Sequence, residues 1–312
     1  MTRHESILGL IGDTPLIGVH QLSPNPDVRI YAKLEGQNPG GSSKDRIALK
    51  MVELAERDGV LSPGATILEP SSGNTGIGLA LVARLRGYRL RVVMPENVSV
   101  ERRQLLEIFG AEVTLSPGEE GSNGAIRMAE KIVADEPGYT YLFQYGNPAN
   151  PLAHYEHTGP EIWRDCPEVD VFVAGLGTSG TLMGAGKYLK ERNPAVKVVA
   201  VEPPAGELVQ GLRNLDDGFV PPIFDPSVLD RKLIVRPRES VLHTRRLLDE
   251  CGVFAGISSG AAVAGAVKMA ATMDSGTIVT LLPDGGWKYL SSGAWTDDLD
   301  TVVERATRIN YW

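Results

Sequence analysis

Three turns of the sequence combine glycine with hydroxyl or amide side chains, at residues 38–46, 69–76 and 175–181. The first turn reads NPGGSSKDR, and Ser42 or Ser43 is placed to cap a helix whose first turn contains Lys44. The positive end of a helix dipole disfavours an ammonium ion, so we expect a lowered pKa for the Lys44 side chain. A neutral amine attacks carbonyl groups and forms Schiff bases. The plainer alternative is a solvated lysine beside Asp45.

The second turn, EPSSGNTG, directly follows the strand-like run TILE and opens another helix. Backbone N–H groups at the start of a helix suit a carboxylate, and the Asn74 amide can donate to an oxygen of a bound ring or substrate. A capped turn between a strand and a helix needs only one such residue. The crowding of polar and glycine positions therefore favours a binding function over capping alone.

The third turn, GLGTSGT, has the form of a phosphate-binding loop between the run VDVFVA and a helix. It matches GxGxxG at 175–180, and Glu202 ends the next predicted strand, which leaves open a nicotinamide-dependent dehydrogenase. Three hydroxyl residues accompany the glycines: Thr178, Ser179 and Thr181. Three hydroxyls suit a monophosphate better than a pyrophosphate that needs close backbone approach, and the dehydrogenase reading leaves the first two turns unexplained.

Strands and helices must alternate to position these turns. Short β-branched runs occur at 29–34, 66–69, 90–94, 112–115, 139–144, 169–174, 197–202, 232–236 and 277–282. Segments with helical apolar spacing, such as 45–57, separate most of them. This alternation predicts an α/β fold with mostly parallel sheets covered on both faces. Ligands of such sheets bind beyond the carboxyl ends of the strands, where the three turns lie.

Composition limits the classes of partner. The 312 residues are ample for two domains, and 31 Lys and Arg against 39 Asp and Glu give a net charge of −8. This charge argues against nucleic acid or an anionic membrane as the main partner, because both require a basic surface. Apolar stretches such as 260–271 contain Gly or Lys and are shorter than a membrane span. We expect a cytoplasmic protein in which Cys166 and Cys251 are free thiols, and no metal site at His154 and His157.

A Schiff-base lysine, a carboxylate-binding turn and a monophosphate-binding loop are together the parts of a pyridoxal phosphate enzyme that acts on an amino acid. Six motifs occur in the order NPGGSSKDR, EPSSGNTG, MPENVSVERRQLLEIFGAEV, GLGTSGT, GISSG and PDGGWKYLS. In these motifs, over about residues 5–295, the chain resembles the cysteine synthases among the fold type II pyridoxal phosphate enzymes. It looks most similar to the O-phosphoserine sulfhydrylase branch. The resemblance implies two open, twisted, mostly parallel sheet domains, as in the tryptophan synthase β subunit, and a homodimer.

The resemblance also implies the site residues. Lys44 would hold pyridoxal 5′-phosphate as an internal aldimine and act as the base on the substrate α-proton. Asn74 would donate to the 3′ oxygen of the cofactor, and Ser258 in GISSG would face its pyridine nitrogen. The residues expected to hold the cofactor phosphate are Gly177, Thr178, Ser179, Gly180 and Thr181. Those expected to hold the substrate carboxylate are Ser71 (where many relatives have Thr), Ser72, Gly73 and Thr75, with Gln144 beside them.

A serine at the pyridine nitrogen limits the chemistry. A neutral hydroxyl stabilises a protonated ring less than an aspartate does, so the ring is a weaker electron sink. The chemistry expected is therefore β-elimination to an aminoacrylate followed by addition of a sulfur nucleophile, rather than transamination or racemisation. Ser258 can also cap the helix GAAVAGAVKMAA. We interpret Asp284 as part of a mainly structural turn on the phosphate side of the cofactor.

Arg213, in the stretch GLRN, bears on the leaving group, because a guanidinium is suited to a phosphate. In the O-phosphoserine branch an arginine in such a stretch binds the substrate phosphate. The resemblance then implies formation of L-cysteine, or its carrier-protein adduct, from O-phospho-L-serine and a thiocarboxylated sulfur-carrier protein. The plainer alternative for Arg213 is a surface arginine that pairs with an acid such as Asp216. Alternative activities are an O-acetylserine sulfhydrylase using sulfide, a cystathionine β-synthase-like enzyme, a serine/threonine dehydratase and a catalytically silent binding protein.

Two expectations concern the arrangement of the chain. A smaller domain, 41–146, is expected to close on the substrate carboxylate, while 1–40 and 147–312 form the larger domain that anchors the cofactor phosphate. The tail RINYW ends on Tyr311 and Trp312. These rings either pack on the protein or form a lid that shields the reactive intermediate from water.

Overall fold

Two β-sheets organise the chain, which a computed structural model describes over residues 3–308, with side chains over residues 3–305. The larger sheet contains β1 (Leu16–Gly18), β2 (Val28–Leu34), β7 (Val171–Gly175), β8 (Lys197–Glu202), β9 (Arg231–Ile234) and β10 (Gly276–Leu282). The smaller sheet contains β3 (Thr66–Pro70), β4 (Arg89–Pro95), β5 (Glu112–Ser116) and β6 (Tyr139–Tyr141). The strand orders are β1-β2-β10-β7-β8-β9 and β5-β4-β3-β6. Neighbouring strands are parallel except that β1 pairs antiparallel with β2. The predicted α/β class with mostly parallel sheets is confirmed.

Helices cover both sheets, and several of them, including α2, α3 and α8, begin shortly after a strand ends. Their bounds are α1 (Lys44–Arg57), α2 (Asn74–Arg86), α3 (Val100–Ile108), α4 (Gly121–Asp135), α5 (Ala149–Ala153), α6 (Gly159–Asp165), α7 (Lys187–Arg192), α8 (Pro237–Cys251), α9 (Ile257–Ala270) and α10 (Leu299–Arg308). Two π-helical segments, His154–Thr158 and Leu182–Gly186, interrupt otherwise continuous helices. Such segments are rare and are often found at functional sites. No helix within residues 3–308 is long and apolar enough to span a membrane.

Apolar cores lie on both faces of the larger sheet. Because successive strand residues point to opposite faces, Val173 and Val201 join one core while Phe172 and Val198 join the other. The first core includes most of α9, whose Ala- and Gly-rich sequence allows it to be buried around nearly its whole circumference. The smaller sheet has its own cores, and the main one includes residues of α1, α2 and α5.

The predicted strands match the observed strands closely, with two differences. The short strand β1 has no alternating pattern and was not predicted. The predicted strand at 139–144 ends at Tyr141, because Phe143 adopts a left-handed φ of 53° and donates its N–H to the Glu69 carboxylate at 2.8 Å. This break turns Gln144 away from the sheet ladder. Tyr311 and Trp312, on which the lid hypothesis depends, lie outside the described residues.

Candidate active site

A single cleft gathers the predicted site residues at the carboxyl ends of β3 and β7 and the N-termini of α1, α2 and α9. It encloses about 990 Å³, including its open mouth, and all fourteen predicted residues line it. Within the described part of the chain none of its lining residues is acidic, whereas Arg102 and Arg213 both contribute a guanidinium. Helix N-termini add positive potential, so the cleft is suited to anionic ligands. No group of three or more potential metal-binding side chains is present among residues 3–308.

Lys44 is the first residue of α1, as the sequence predicts. Its backbone N–H donates to Ser42 Oγ at 3.2 Å, while the Ser43 side chain makes no capping hydrogen bond. Burial is the main cause that lowers the pKa of the Lys44 ammonium, against the opposing charges of Asp284, Glu35 and Asp45. The direction of this shift agrees with the prediction, but desolvation causes it where the sequence suggested the helix dipole. Lys44 is partly exposed to the cleft, and a lysine there that loses its proton readily is available as a nucleophile and as a base.

The turn before α2 is held by side chains that lie around it. Ser71 Oγ accepts the N–H groups of Gly73 at 3.2 Å and Gly76 at 3.0 Å, so this hydroxyl caps the helix internally. Thr75 Oγ1 donates to Gln144 Oε1 at 2.6 Å, and Gln144 Nε2 donates to the Pro70 carbonyl at 3.1 Å. Gln144 thus lies directly beside the turn, as the sequence predicts. These bonds leave the remaining backbone N–H groups of the helix start for a ligand.

Glu69 supports this turn, and sequence reasoning missed it. Its buried carboxylate accepts the backbone N–H groups of Phe143 at 2.8 Å and Gln144 at 3.0 Å. Burial raises the pKa of Glu69 to about 8, although those two hydrogen bonds favour its charged form. A single acid in the motif EPSSGNTG therefore fixes the backbone of Gln144 from the neighbouring strand β3.

The loop after β7, residues 175–181, is more tightly constrained than the turn before α2. Ser179 has a left-handed φ of 71°, and its Oγ is buried with no hydrogen-bond partner in the described part of the chain. A Cβ atom at Gly177 would lie 2.8 Å from the Gly211 carbonyl oxygen, and one at Gly180 would overlap the Asn150 amide oxygen. Asn150 also donates to Thr178 Oγ1 at 3.0 Å. Only glycine fits at positions 177 and 180, so the backbone of this loop has one fixed shape.

Thr181, at the end of this loop, contacts a buried histidine. Its Oγ1 lies 3.2 Å from His154 Nε2, and His154 Nδ1 lies 2.9 Å from Thr158 Oγ1. Burial lowers the pKa of His154 to about 3, so the imidazole is neutral at physiological pH. His154 therefore orients the threonine hydroxyl without adding charge.

Ser258 lies at the second position of α9, buried at the floor of the cleft. The N-cap of this helix is Gly256, so the predicted capping role of Ser258 is wrong. A Cβ atom at Gly211 would lie 3.5 Å from Ser258 Oγ, which places the loop of Arg213 next to this hydroxyl.

Arg213 is buried in the cleft, where its guanidinium stacks against two aromatic rings. The guanidinium carbon lies 4.6 Å from the Phe219 ring centre and 5.4 Å from that of Tyr145. Its Nη1 makes long hydrogen bonds of 3.4 Å to Asn123 Oδ1 and to the Phe219 carbonyl. Arg213 is buried and, within the described residues, forms no ion pair with Asp216, so the alternative of a surface arginine paired with that acid is wrong.

Arg102, Tyr289 and Asp284 form a further group at the cleft, and the sequence did not predict a role for them in binding. Arg102 of α3 lies over the Tyr289 ring at 4.6 Å, and its Nη2 donates to Gln210 Oε1 at 3.3 Å. Asp284 accepts a hydrogen bond from Asn74 Nδ2 at 2.7 Å and another from the Tyr289 hydroxyl. Asp284 therefore lies on the Asn74 and Lys44 side of the cleft, and its predicted place on the phosphate side is wrong.

Comparison with known proteins decides the family. The family model described as pyridoxal-phosphate dependent enzyme matches residues 7–284. The chain belongs to this family. It is 43% identical over 304 residues to a cysteine synthase of Staphylococcus aureus, covering 94% of this chain and 98% of the relative. A solved O-ureido-L-serine synthase superposes with a TM-score of 0.88 at 41% identity, covering 94% and 96% of the two chains. A solved cysteine synthase of Entamoeba histolytica has a TM-score of 0.88 at 34% identity, covering 98% and 96%.

The family establishes pyridoxal phosphate as the cofactor and places the chain among the cysteine synthases. The cleft fits this cofactor, because the loop after β7 presents an unpartnered buried hydroxyl at Ser179 and a backbone cradle that side chains at Gly177 and Gly180 would fill. The nicotinamide alternative fails. Glu202, which would bind a ribose in that reading, is buried and forms an ion pair with Lys232 at 2.9 Å.

Proposed function

We propose that this cysteine synthase homologue forms L-cysteine, or its carrier-protein adduct, by β-replacement on O-phospho-L-serine. Phosphate leaves from Cβ, and the sulfur of a thiocarboxylated sulfur-carrier protein takes its place. The observation that carries the choice of amino acid is Arg213, a buried guanidinium in the cleft whose partners are aromatic faces and neutral oxygens. A buried cation without a carboxylate is costly, and a phosphate dianion on the substrate would supply the missing charge.

Lys44 has the central role in this proposal. Bound in the cleft, pyridoxal phosphate withdraws electrons from the substrate amino acid and so acidifies its α-hydrogen. The Lys44 amine would hold the cofactor and later remove that proton, which requires the neutral form that burial favours. Ser258 would contact the ring nitrogen as a neutral partner, which suits departure of a leaving group from Cβ.

The other predicted residues would bind and orient. The residues of the loop after β7 would hold the cofactor phosphate through N–H groups and the Ser179 hydroxyl. The substrate carboxylate would lie at the start of α2, where the dipole of the helix favours negative charge. Because the Ser71 hydroxyl is engaged as an internal cap, its contribution there would be to shape the turn, while the Ser72 hydroxyl would donate to the carboxylate. The Thr75 hydroxyl donates to Gln144, so Thr75 would contribute its backbone N–H at the helix start. Gln144 would contact the same carboxylate from the side.

Substitution of Arg213 tests the choice of amino acid. Arg213→Gln removes the charge and keeps most of the shape, so we expect kcat/KM for O-phosphoserine to fall about 10- to 100-fold, the range for lost hydrogen bonds to a charged group. The loss with O-acetylserine should be several-fold smaller. Arg103→Gln, which changes an exposed arginine of α3, is the matched control and should leave both values unchanged. Equal losses on both substrates would reject the phosphate role.

An O-acetylserine sulfhydrylase using free sulfide is the second candidate. It is favoured by the likeness to solved O-acetylserine sulfhydrylases of Entamoeba histolytica. It is also compatible with a purely structural Arg213 that holds Tyr145 and Phe219 together. Under this candidate, wild-type kcat/KM would be higher for O-acetylserine than for O-phosphoserine.

The sulfur donor requires a separate measurement. With the amino acid at saturation, turnover is compared for sulfide and for a small carrier protein whose C-terminus is a thiocarboxylate. We expect the carrier to react faster at equal concentration, and a faster reaction with sulfide would favour the second candidate.

We further propose a homodimer, which light scattering tests through the molar mass in solution. We also propose that residues 41–146 close on the bound carboxylate, which small-angle X-ray scattering with and without substrate tests.

A further inference from the structure

Lys288 is a buried lysine that the proposed reaction leaves without a role. It lies in the short helical segment Gly286–Ser292 that follows β10, and none of its surface is exposed. Its Nζ donates to the Gly40 carbonyl at 2.9 Å and to Asn74 Oδ1 at 2.8 Å. A fully buried ammonium is retained only where its hydrogen bonds have fixed partners. One of these partners is the side chain expected to contact the cofactor ring.

The Asn74 amide lies between a group that can only donate and a group that can only accept. Its Oδ1 faces the Lys288 ammonium, while its Nδ2 donates to the Asp284 carboxylate at 2.7 Å. An ammonium carries no acceptor and an ionised carboxylate no donor, so a flipped amide would lose both hydrogen bonds. Asp284 also accepts a hydrogen bond from the Tyr289 hydroxyl, and the Arg102 guanidinium stacks on the Tyr289 ring. The network thus selects one of the two amide orientations.

We propose that Lys288 and Asp284 are positioning residues that lock the Asn74 amide with its nitrogen directed to the cofactor ring oxygen. This inference rests on the proposed contact between Asn74 and that oxygen. Nδ2 carries two hydrogens, and Asp284 takes one, so the other is left for a ligand. The cofactor oxygen is an acceptor, and a flipped amide would present a second acceptor to it. The orientation therefore decides whether this contact attracts or repels.

A double-mutant cycle on cofactor binding tests the proposal. The apoenzyme of each variant is titrated with pyridoxal phosphate, and both Kd and the visible absorption maximum of the bound cofactor are measured. We expect Lys288→Met to raise Kd about tenfold and to shift the absorption maximum, because the amide is then held by Asp284 alone. In the Asn74→Ala background the same substitution should change Kd by less than about twofold, since no amide remains to orient. Lys288→Arg, which keeps a pure donor, should restore most of the wild-type absorption maximum.

Each outcome either supports or overturns the assignment. Equal effects of Lys288→Met with and without Asn74 would show a general structural role and overturn it. If Lys288→Met does not fold, Lys288→Gln takes its place, because a glutamine can donate or accept and so leaves the selection of the Asn74 orientation to Asp284 alone. An unshifted absorption maximum in Lys288→Gln would likewise overturn the proposal. The assay contains no substrate, so its result is independent of the choice between O-phosphoserine and O-acetylserine.

Discussion

The turns at 69–76 and 175–181 both join a parallel strand to a helix and both combine glycine with hydroxyl groups, but they are held in different ways. The 175–181 loop is fixed by its backbone, with Ser179 in a left-handed conformation and Gly180 in contact with Asn150. The 69–76 turn is fixed by side-chain hydrogen bonds from Ser71 and Gln144, which can break and re-form. Similar motifs therefore give a rigid loop at 175–181 and an adaptable turn at 69–76. A cofactor that stays bound needs the first, and a substrate that enters and leaves needs the second.

Substituting one glycine in each helix start should show the largest contrast. A Cβ atom at Gly180 would overlap the Asn150 side chain, whereas at Gly76 the nearest atoms are flexible side-chain carbons, Leu106 Cδ2 at 3.1 Å and Val92 Cγ1 at 3.3 Å. We expect Gly180→Ala to weaken cofactor binding at least about 100-fold, because overpacking costs about 1–3 kcal/mol and also displaces the backbone of the 175–181 loop. Gly76→Ala should change it less than about threefold. Titration of the two apoenzymes measures both values, and similar losses would remove the distinction between the turns.

Ser179→Gly should separate strain from binding within the rigid loop. Glycine adopts the left-handed conformation freely, so the free energy of unfolding of the apoenzyme should rise by up to about 1 kcal/mol. Loss of the hydroxyl should weaken cofactor binding about tenfold, since a hydrogen bond to a charged phosphate is lost. Urea unfolding and cofactor titration measure the two effects. Tighter cofactor binding by this variant would contradict a phosphate contact at Ser179.

Thr75→Val should affect the amino-acid substrate and spare the cofactor. It removes the 2.6 Å hydrogen bond to Gln144 while keeping the shape of the side chain. We expect KM for the amino acid to rise about three- to tenfold, the range for one neutral hydrogen bond. The Kd of pyridoxal phosphate should stay within about twofold of the wild-type value. A larger change in the Kd of pyridoxal phosphate than in the KM of the amino acid would contradict the proposal that the 69–76 turn binds the substrate.

Glu69, at the start of the 69–76 turn, should make the free energy of unfolding depend on pH, and Glu69→Gln should remove this dependence. Burial raises the pKa of Glu69 to about 8, from an ordinary value of 4.5 in the unfolded chain. The folded state therefore binds this proton more tightly, and the contribution of Glu69 to stability falls as pH rises from about 4.5 to about 8. Glutamine does not titrate, so wild type should lose stability relative to Glu69→Gln across this window. Unfolding curves at several pH values measure the difference, and a difference independent of pH would show that Glu69 titrates normally.

The sequence predicts local elements well because strands and helix starts are encoded locally. The runs of β-branched residues and the placement of Lys44 at the start of α1 agree with the structure. Contacts between distant segments are not encoded in this way. Asn74 is bonded to Asp284 and Lys288 across more than 200 residues of sequence, and no local pattern indicates such pairs. The early end of β6 has the same cause, since the buried Glu69 captures backbone N–H groups of another segment.

The assignment of the cofactor-binding amine is the central claim, and the structure makes its test demanding. Lys44 lines the cleft, and the buried Lys288 is hydrogen-bonded to Asn74, which lines the same cleft. Desolvation lowers the pKa of both lysines, that of Lys288 to about 8. Borohydride reduction of the cofactor-loaded enzyme, followed by peptide mass mapping, identifies the amine that holds pyridoxal phosphate. We expect the cofactor on the peptide that contains Lys44 and none on the peptide that contains Lys288. Attachment at Lys288, or no attachment at either lysine, would contradict the account.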